Sequence, residues 1–461
     1  MVAFPIISGV LPTAQAEFGT VIPKNMEPVI VESGISKGQL RMASGAIPWV
    51  TGPGIDRGGH VWNGQHFRVM GENLVRINSA GAVEILGNVG GTGQAGFDHS
   101  FDRLAIRSGT ALWYWDGTTL SQMTDPDLGP VLDHIWIDGY FMATDGKFVV
   151  VTELNDPNEV KPLKYGSAES DPDPIVGLVK LRGEAYVIGR NTIELFANRG
   201  GSGFPFAVVR SATIPFGAVS AQAVVQFAQT IAFVGSERGG ALGVFLAGQG
   251  TASRISSRTI DDALANDPAP DAVTVERRVY RNEARLIVHL SNASYQYNAD
   301  ASQKAGEPVW VELRSRQTDA YRLRNALVVG EKIIVGDLNS PALGILTDDL
   351  ATHFGEPVEW RFDVGQFNEP GKGLVLREIE LIGMTGRGPY GGGEAFMSYT
   401  LDGETFSLER AKSLGERGQR KKRVAWRPRV RVPNYLGLRF RGYGQGFYGV
   451  AACEVDASPQ V

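Results

Sequence analysis

The feature that most constrains the fold of this chain is a repeated unit: a short apolar or alternating run, a tight turn containing glycine, and a second such run. β-Branched and aromatic residues on either side of residues that tolerate positive φ are typical of β-hairpins. Six or seven copies can be traced along the 461 residues, with turns at residues 71–73, 108–109, 145–146, 189–191, 235–240, 291–292 and 330–331.

The spacing of these hairpins indicates how they assemble. Successive turns are separated by about 38, 37, 43, 46, 57 and 38 residues. Propeller blades repeat every ~40–50 residues. One hairpin cannot bury both of its faces, whereas blades packed around an axis can. The predicted fold class is therefore all-β, with a β-propeller-like body of six or seven hairpin-containing blades. A set of stacked β-sandwiches is the alternative.

Helices are expected to be rare, because 58 of the residues are glycine and 24 are proline. One convincing helix signal lies at residues 259–265, with serine and threonine caps and acidic residues in the first turn. Beyond residue 357 the pattern changes to a dense series of short strands, which favours a β-sandwich-like domain. We predict two domains, 1–356 (the propeller-like body with the N-terminal segment) and 357–461. The C-terminal strands are predicted at 360–364, 373–382, 395–400, 406–408, 423–432, 435–440 and 448–456.

Charge and cysteine content exclude several classes of protein. With 45 basic and 50 acidic side chains the formal charge is -5, which argues against a general nucleic-acid binder. The single Cys453 excludes an internal disulfide and a cysteine-clustered metal site. No tract approaches the ~18 apolar residues of a membrane-spanning segment. The N-terminus is apolar but has no basic residue before Lys24, so we expect an ordered segment, not a signal peptide, and synthesis in the cytoplasm.

A search for catalytic constellations favours structural explanations. His60 and His66 lie six residues apart, a spacing that suits neither a helical pair nor a zinc motif. The glycine run 90–96 lacks the lysine of a phosphate-binding loop. We therefore predict no catalytic, cofactor-binding or metal site and no enzymatic activity. The glycine clusters 90–96, 200–203 and 386–393 are expected to be mobile loops.

A carbohydrate-binding or glycosidase-like propeller is the alternative function, because propellers can present paired carboxylates. Asp138, Asp145 and Glu194 lie at hairpin ends, and the sequence leaves open whether any two converge. Residues 398–406 resemble part of a sialidase Asp-box, but Tyr399 and Leu401 replace its serine and first aspartate. An Asp-Gly turn explains this hairpin without sugar chemistry.

A basic run near the C-terminus is the best candidate for a contact surface. Residues 401–445 contain twelve Lys or Arg against four acidic residues. Strand alternation would place Arg427, Arg429 and Arg431 on one side of a strand. Such a face could meet DNA phosphates or an acidic protein surface, or it could be solvated or paired within the chain. We favour a protein partner, with these candidate residues: Arg420, Lys421, Lys422, Arg423, Arg427, Arg429 and Arg431.

The central part of the chain resembles tail proteins of short-tailed bacteriophages, the packaged-DNA stabilisation family, also called the tail hub or nozzle. The similarity covers about residues 1 to 350 and extends only loosely to the C-terminal region. Its motifs are structural and follow one another in the family's order: Ser8-Gly9-Val10-Leu11-Pro12, Trp115-Asp116-Gly117, Thr192-Ile193-Glu194-Leu195-Phe196, residues 200–206, residues 214–220, Phe233-Val234-Gly235, Val244-Phe245 and residues 256–261.

This resemblance implies a structural role in the virion tail. It implies a homohexameric ring below the portal and the head-to-tail adaptor, continuing the DNA channel and closing it until infection. Duplex DNA would pass through without sequence-specific binding. The tail needle and the tailspike or fibre proteins would dock on the ring, and no cofactor would be required. Under the alternative function, the carbohydrate-binding or glycosidase-like propeller would act as a receptor-binding tail component.

Overall fold

The structure is a computed structural model that describes residues 2–4, 6, 10–12, 18–20, 22–30, 38–161, 164–167, 173–201, 203–248, 250–280, 283–316, 320–367, 373–387 and 392–459. Two α-helices, Arg258–Ala265 and Ala299–Ala305, occur in these residues, together with 43 strands. The chain forms two compact units. Residues 49–291 and 323–344 make up the blade unit, and residues 1–48, 292–322 and 345–461 make up the terminal unit.

The blade unit contains five complete antiparallel sheets. Sheet 1 consists of Asp56–Trp62, Gln65–Met70, Asn73–Ile77 and Val83–Asn88, and sheet 2 of Gly96–His99, Leu104–Ser108, Ala111–Trp115 and Leu120–Gln122. Sheet 3 consists of Asp133–Ile137, Tyr140–Thr144, Val149–Val151 and Tyr165–Gly166, and sheet 4 of Ile175–Leu181, Glu184–Gly189, Ile193–Asn198 and Phe206–Val208. Sheet 5 consists of Gly217–Ala218, Val224–Phe227, Thr230–Ser236, Gly243–Gly248 and Thr251–Arg254.

Two more antiparallel hairpins complete the blade unit. They are Thr274–Tyr280 with Glu283–His289, and Leu323–Val329 with Lys332–Asp337. Short 3-10 helices lie at Arg210–Ala212, Ala221–Ala223 and Pro270–Ala272.

Seven strands of the blade unit form a closed ring of contacts, one from each sheet or hairpin. The ring arises because each inner strand packs against the next, and the last packs against the first. A closed ring of sheets is the arrangement of a β-propeller, and it leaves only short, protected edges. The sequence is compatible with six or seven blades, and the structure has seven. The inner strands are Asp56–Trp62, Gly96–His99, Asp133–Ile137, Ile175–Leu181, Val224–Phe227, Thr274–Tyr280 and Leu323–Val329.

Neighbouring sheets share hydrophobic cores because both faces of the central strands are buried. On the strand Leu104–Ser108, Leu104 and Ile106 pack with residues of sheet 1, whereas Ala105 packs with residues of sheet 3. Successive side chains of a strand point to opposite faces, so one strand contributes to two cores. This explains the continuous apolar runs in the repeat.

The glycine run 90–96 is held in place by a buried arginine. Arg57 donates from Nε to the carbonyl oxygen of Gly93 at 2.6 Å and from Nη1 to that of Gly90 at 2.9 Å. Its Nη2 donates to Ser108 Oγ at 2.8 Å. These bonds satisfy carbonyl groups of the loop and tie it to the neighbouring strand. The mobility of this loop stays a prediction. Of the other two clusters, residues 202 and 388–391 lie outside the described residues.

Two glycines of this run provide a matched pair of substitutions. Gly91 and Gly93 both have positive φ, +69° and +74°, but only a Cβ on Gly91 would approach backbone, 2.7 Å from Gly109 N. Gly93→Ala is expected to cost about 1 kcal/mol for the left-handed conformation, and Gly91→Ala about 2 kcal/mol or more because the clash adds to it. Urea unfolding of both variants tests this; equal losses would contradict it.

The terminal unit contains two facing antiparallel sheets with one core between them, as predicted for a sandwich. The core includes Trp360, Phe362, Ile379, Trp426 and Phe440, all buried. One sheet contains Met26–Ile30, Gly38–Met42, Gly449–Pro459 and Leu374–Gly383, with Val2–Phe4, Val424–Trp426 and Val430–Val432 paired to it. The other contains Thr352–His353, Glu356–Phe367, Tyr435–Gly444, Glu394–Thr400 and Arg410–Ser413 in that order.

The remaining strands of the terminal unit are Val10–Pro12 with Phe18–Thr20, and Ser294–Asn298 with Trp310–Leu313. The chain passes from one unit to the other four times, within the strands Gly45–Thr51 and Ala342–Thr347 and at residues 291–292 and 322–323. A division between domains at residue 356 stays a prediction.

Most predicted elements are present, with three differences. The helix Arg258–Ala265 confirms the signal at 259–265. The helix Ala299–Ala305 was missed, although Asn298 caps its N-terminus and Gly306 ends it in the left-handed conformation. The strand predicted at 406–408 is wrong, because Glu394–Thr400 pairs instead with Arg410–Ser413. The strand predicted at 423–432 is interrupted, as described next.

Candidate interaction surface

The basic run lies along one edge of the terminal unit. Two short strands, Val424–Trp426 and Val430–Val432, pair with the same long strand, Leu374–Gly383. Trp426 pairs with Ile379, and Val430 pairs with Leu376. Between these two pairs the basic run has three residues, 427–429, whereas the long strand has two, 377 and 378. The extra residue forms a bulge, a local kink of the kind that interrupts strand alternation.

The bulge separates the arginines that alternation had placed together. Arg429 has φ +53°, and Arg427 and Arg429 lie in the connection between the strands. Of the three arginines only Arg431 lies within a strand. The prediction that Arg427, Arg429 and Arg431 share one side of a strand is therefore wrong. All three are exposed.

Among the candidate residues of the basic run, Arg423 and Arg427 form ion pairs within the chain. Arg423 Nη2 lies 2.8 Å from Glu378 Oε1, and Arg427 Nε lies 2.6 Å from Glu378 Oε2. Arg423 also donates from Nε to Glu380 Oε1 at 2.8 Å. The hydrogen bonds from Arg427 and Arg423 lower the pKa of Glu378, and the bond from Arg423 lowers that of Glu380. The basic run by itself does not indicate these carboxylates, because Glu378 and Glu380 lie on a different strand, Leu374–Gly383.

The centre of the basic run remains open to solvent. Arg420, Lys421 and Lys422, here called the basic turn, are exposed and follow a turn in which Gln419 N donates to the carbonyl oxygen of Glu416. Within the described part of the chain, no carboxylate lies within 4 Å of these three side chains. The basic turn is thus the part of the run most available to a partner.

A polar cavity of about 450 Å³ lies within the blade unit, lined by residues of its inner strands. Asp56, at its wall, pairs with the fully buried Arg68 at 2.7 Å and accepts from Asn325 Nδ2 at 2.9 Å. Burial raises the pKa of Asp133, another lining residue, to about 6. A cavity of this volume has no room for a DNA duplex.

The carboxylates considered for sugar chemistry have structural roles. Asp145 accepts from the backbone N–H groups of Lys147 and Phe148, which closes its own turn. Asp138 accepts from Asn198 Nδ2 at 3.0 Å, and Glu194 is buried. Asp402 closes the turn of the Asp-box-like hairpin, accepting from Glu404 N and Thr405 N. These contacts explain the residues without catalysis.

The histidines His60 and His66 lie on neighbouring strands with different partners. His60 Nε2 lies 2.8 Å from His99 Nδ1, whereas His66 accepts from Arg68 Nε at 2.9 Å. A search of the described residues finds no group of three His, Cys, Asp or Glu side chains placed to hold a metal ion. The helices of the described residues are all too short or too polar to span a membrane.

Buried histidines make the stability of the blade unit sensitive to acid. Burial lowers the pKa of His60, His134 and His289 to about 4. An unfolded histidine titrates near 6.5, so between pH 6.5 and 4 the unfolded chain binds more protons and stability falls as the pH falls. Burial lowers the pKa of His66 to about 3, which adds to this effect. The raised pKa of Asp133 acts in the opposite direction, but it is one group against four.

His134→Gln is expected to reduce this acid sensitivity, because it removes one group that must be charged on unfolding. The measurement is the urea midpoint at pH 7, 5.5 and 4.5 for wild type and variant. The variant should lose less stability over this range. An identical loss in both proteins would contradict the assignment to His134.

Comparison with known proteins agrees with this architecture. Residues 2–351 match the family described as bacteriophage P22 Gp10, beta-propeller, and residues 359–458 match the description bacteriophage P22 Gp10, beta-sandwich. The tail hub protein gp10 of Salmonella phage P22 is 27% identical over an alignment of 465 positions, gaps included. The alignment covers 95% of this chain and 96% of that protein.

The solved structures that match this chain are more distant in sequence. The WD40 domain of Neurospora crassa Pan2 is 9% identical with a TM-score of 0.44, over 65% of this chain and 94% of that one. The N-terminal domain of Nup159 is 9% identical with a TM-score of 0.41, over 71% and 99%. Because the two family matches cover both the propeller and the sandwich, this chain belongs to the bacteriophage P22 Gp10 family.

Proposed function

We propose that this chain is a structural tail hub protein of a phage virion. The observation that carries the proposal is its likeness to a named tail hub protein along almost the whole of both chains. The candidate carboxylates and histidines have structural partners, which supports a role without catalysis. The protein would be made in the host cytoplasm and reside in the tail.

The path of DNA in this proposal runs between copies of the chain. The cavity of the blade unit is about 450 Å³ and has charged side chains at its wall, so a channel for duplex DNA requires several copies around a common axis. We propose a hexameric ring below the portal and adaptor that helps to retain packaged DNA. The net charge of -5 suits a conduit, because a strongly basic lumen would hold the DNA.

The proposed ring also offers docking sites to other tail proteins, namely the head-to-tail adaptor, the tail needle and the tailspikes or fibres. Size-exclusion chromatography with light scattering, alone and with the adaptor ring of the same phage, tests the proposal. A complex containing several copies bound to the adaptor is the expected result. A protein that stays monomeric and never joins the adaptor would contradict the hub role.

The basic turn is the proposed site for an acidic partner surface. Reversing its charges with Arg420→Glu, Lys421→Glu and Lys422→Glu is expected to weaken the complex with the adaptor about tenfold or more, since rim charges set both rate and specificity of association. Arg423 is left intact because it is paired with Glu378 and Glu380.

The matched control for the basic turn reverses three exposed cations of the blade unit, Lys147, Arg210 and Lys332. This control changes the net charge by the same amount. Equal weakening by both triple variants would show that net charge matters and that the basic turn has no specific role.

A further inference from the structure

Two apolar side chains of the described residues are far more exposed than any others. Leu408 is 92% exposed and Phe101 is 88% exposed, whereas the next, Ile85, is 59% exposed. Single exposed apolar residues are common on proteins. These two differ in their surroundings, because Phe101 lies among acidic side chains and Leu408 lies among basic ones. Each belongs to a different unit, and neither is covered within the chain.

Phe101 borders a groove of about 220 Å³ in the blade unit. The ring of Phe101 packs edge-on against Trp136, with 5.5 Å between the ring centroids. Pro157 lines the same groove, and Leu154, 54% exposed, lies beside it over Gly139. The groove therefore has apolar walls on two sides and can receive one apolar side chain.

Carboxylates surround this groove. Asp102 and Asp156 line it and are exposed, and Asp138 immediately precedes the lining residue Gly139. Two cations lie nearby and are paired. Arg103 pairs with Asp102 at 3.3 Å. Lys180 pairs with Asp98 at 3.3 Å and also donates to the carbonyl oxygen of Trp136. We call this site the acidic groove, defined by Phe101, Asp102, Trp136, Asp156 and Pro157. Its chemistry suits an apolar side chain flanked by cations.

Leu408 is an apolar side chain flanked by cations of this kind. It precedes the strand Arg410–Ser413, which ends its sheet in the terminal unit. Arg410 and Lys412 alternate on one face of this edge strand and are exposed. Among the described residues neither has a carboxylate within 4 Å. Arg410 Nη1 donates to the carbonyl oxygen of Arg427 at 3.3 Å, and the nearby Glu409 is paired with Arg441. We call Leu408, Arg410 and Lys412 the basic edge.

We propose that the basic edge of one copy docks into the acidic groove of a second copy of this chain. Leu408 enters beside Phe101 and Trp136, while Arg410 and Lys412 lie against Asp102 and Asp156. The contact joins two different surfaces, so every copy keeps one of each, and repetition builds a ring if the rotation closes. This proposal rests on the proposed hub function, which requires several copies.

Three charge variants test the contact by light scattering and sedimentation. The groove variant carries Asp102→Lys and Asp156→Lys, the edge variant carries Arg410→Glu and Lys412→Glu, and the third carries all four changes. Each of the first two should self-associate about tenfold or more weakly than wild type, because like charges then face each other. The four-fold variant should associate again, because both surfaces are reversed together.

Mixing the groove variant with the edge variant gives a second, independent result. In the mixture every groove finds an edge of opposite charge on the other protein, so association should return although neither protein associates alone. Circular dichroism checks that each variant is folded. Unchanged self-association of either single variant, or no association in the mixture, would overturn the proposal.

The outcomes separate this contact from the hub function itself. A wild-type protein that joins the adaptor in several copies, with charge variants that do the same, would overturn the contact and leave the hub function standing. A wild-type protein that neither self-associates nor joins the adaptor would overturn both. A groove variant that fails only with another tail protein would assign the groove to that protein.

Discussion

Replacing Arg68 by alanine is expected to lower the free energy of unfolding by about 3–5 kcal/mol, the cost of breaking a buried ion pair from one side. Arg68 is fully buried and donates to Asp56 Oδ2 at 2.7 Å and to the carbonyl oxygen of Ile334 at 3.0 Å. The variant would leave the Asp56 carboxylate without its cation and with only the neutral donor Asn325 Nδ2, and it would remove a donor from the Ile334 carbonyl group. The pair links the first inner strand of the propeller to the last hairpin of the blade unit.

Arg76→Ala is the matched control, since Arg76 lies in the same sheet and pairs with Glu84 at 2.6 Å on the surface. An exposed pair of this kind contributes about 0–1 kcal/mol. Urea unfolding followed by circular dichroism measures both variants. Similar losses for Arg68→Ala and Arg76→Ala would contradict the role given to the buried pair.

Trp360→Ala is expected to cost about 3–5 kcal/mol in the terminal unit, because a large side chain leaves a cavity in a packed core. Trp360 is fully buried and stacks on Tyr448, with ring centroids 5.1 Å apart, and on Phe362 at 6.0 Å. Its ring also fills the space above Gly442, where a Cβ would lie 2.4 Å from it. This tryptophan thus joins two strands of one sheet to the core.

The control for Trp360 is Ile382→Ala, at a residue of the same unit that is 41% exposed and lies outside the core. A side chain outside the core should change stability by about 1 kcal/mol or less. Thermal or urea unfolding distinguishes the two variants. A small effect of Trp360→Ala would show that the sandwich core is not packed as described.

The fold could be predicted because hairpins are local. Each turn and its flanking strands lie within about twenty residues, so the sequence of residues 104–115 predicts the hairpin that the structure contains. The number of blades could not be decided in the same way. It depends on which strands meet around the axis, such as Asp56–Trp62 and Leu323–Val329, more than 250 residues apart.

Long-range contacts also explain what was missed at the candidate site. Arg423 and Arg427 pair with Glu378 and Glu380, more than 40 residues earlier, so the basic run is less charged in effect than its composition indicates. Arg57 likewise donates hydrogen bonds to the carbonyl oxygens of Gly90 and Gly93, which the glycine run 90–96 by itself does not indicate. The helix at 299–305, by contrast, carried a local signal in its Asn and Gly caps that was overlooked.

In the proposed hub, several copies of this chain surround the DNA path of a phage tail. Electron cryomicroscopy of the purified protein bound to its adaptor shows the number of copies and the bore. We expect a closed ring of copies with a bore wide enough for duplex DNA, and a separate cavity inside each blade unit. A single bound copy, or a ring whose bore excludes a duplex even in the open state, would contradict this proposal.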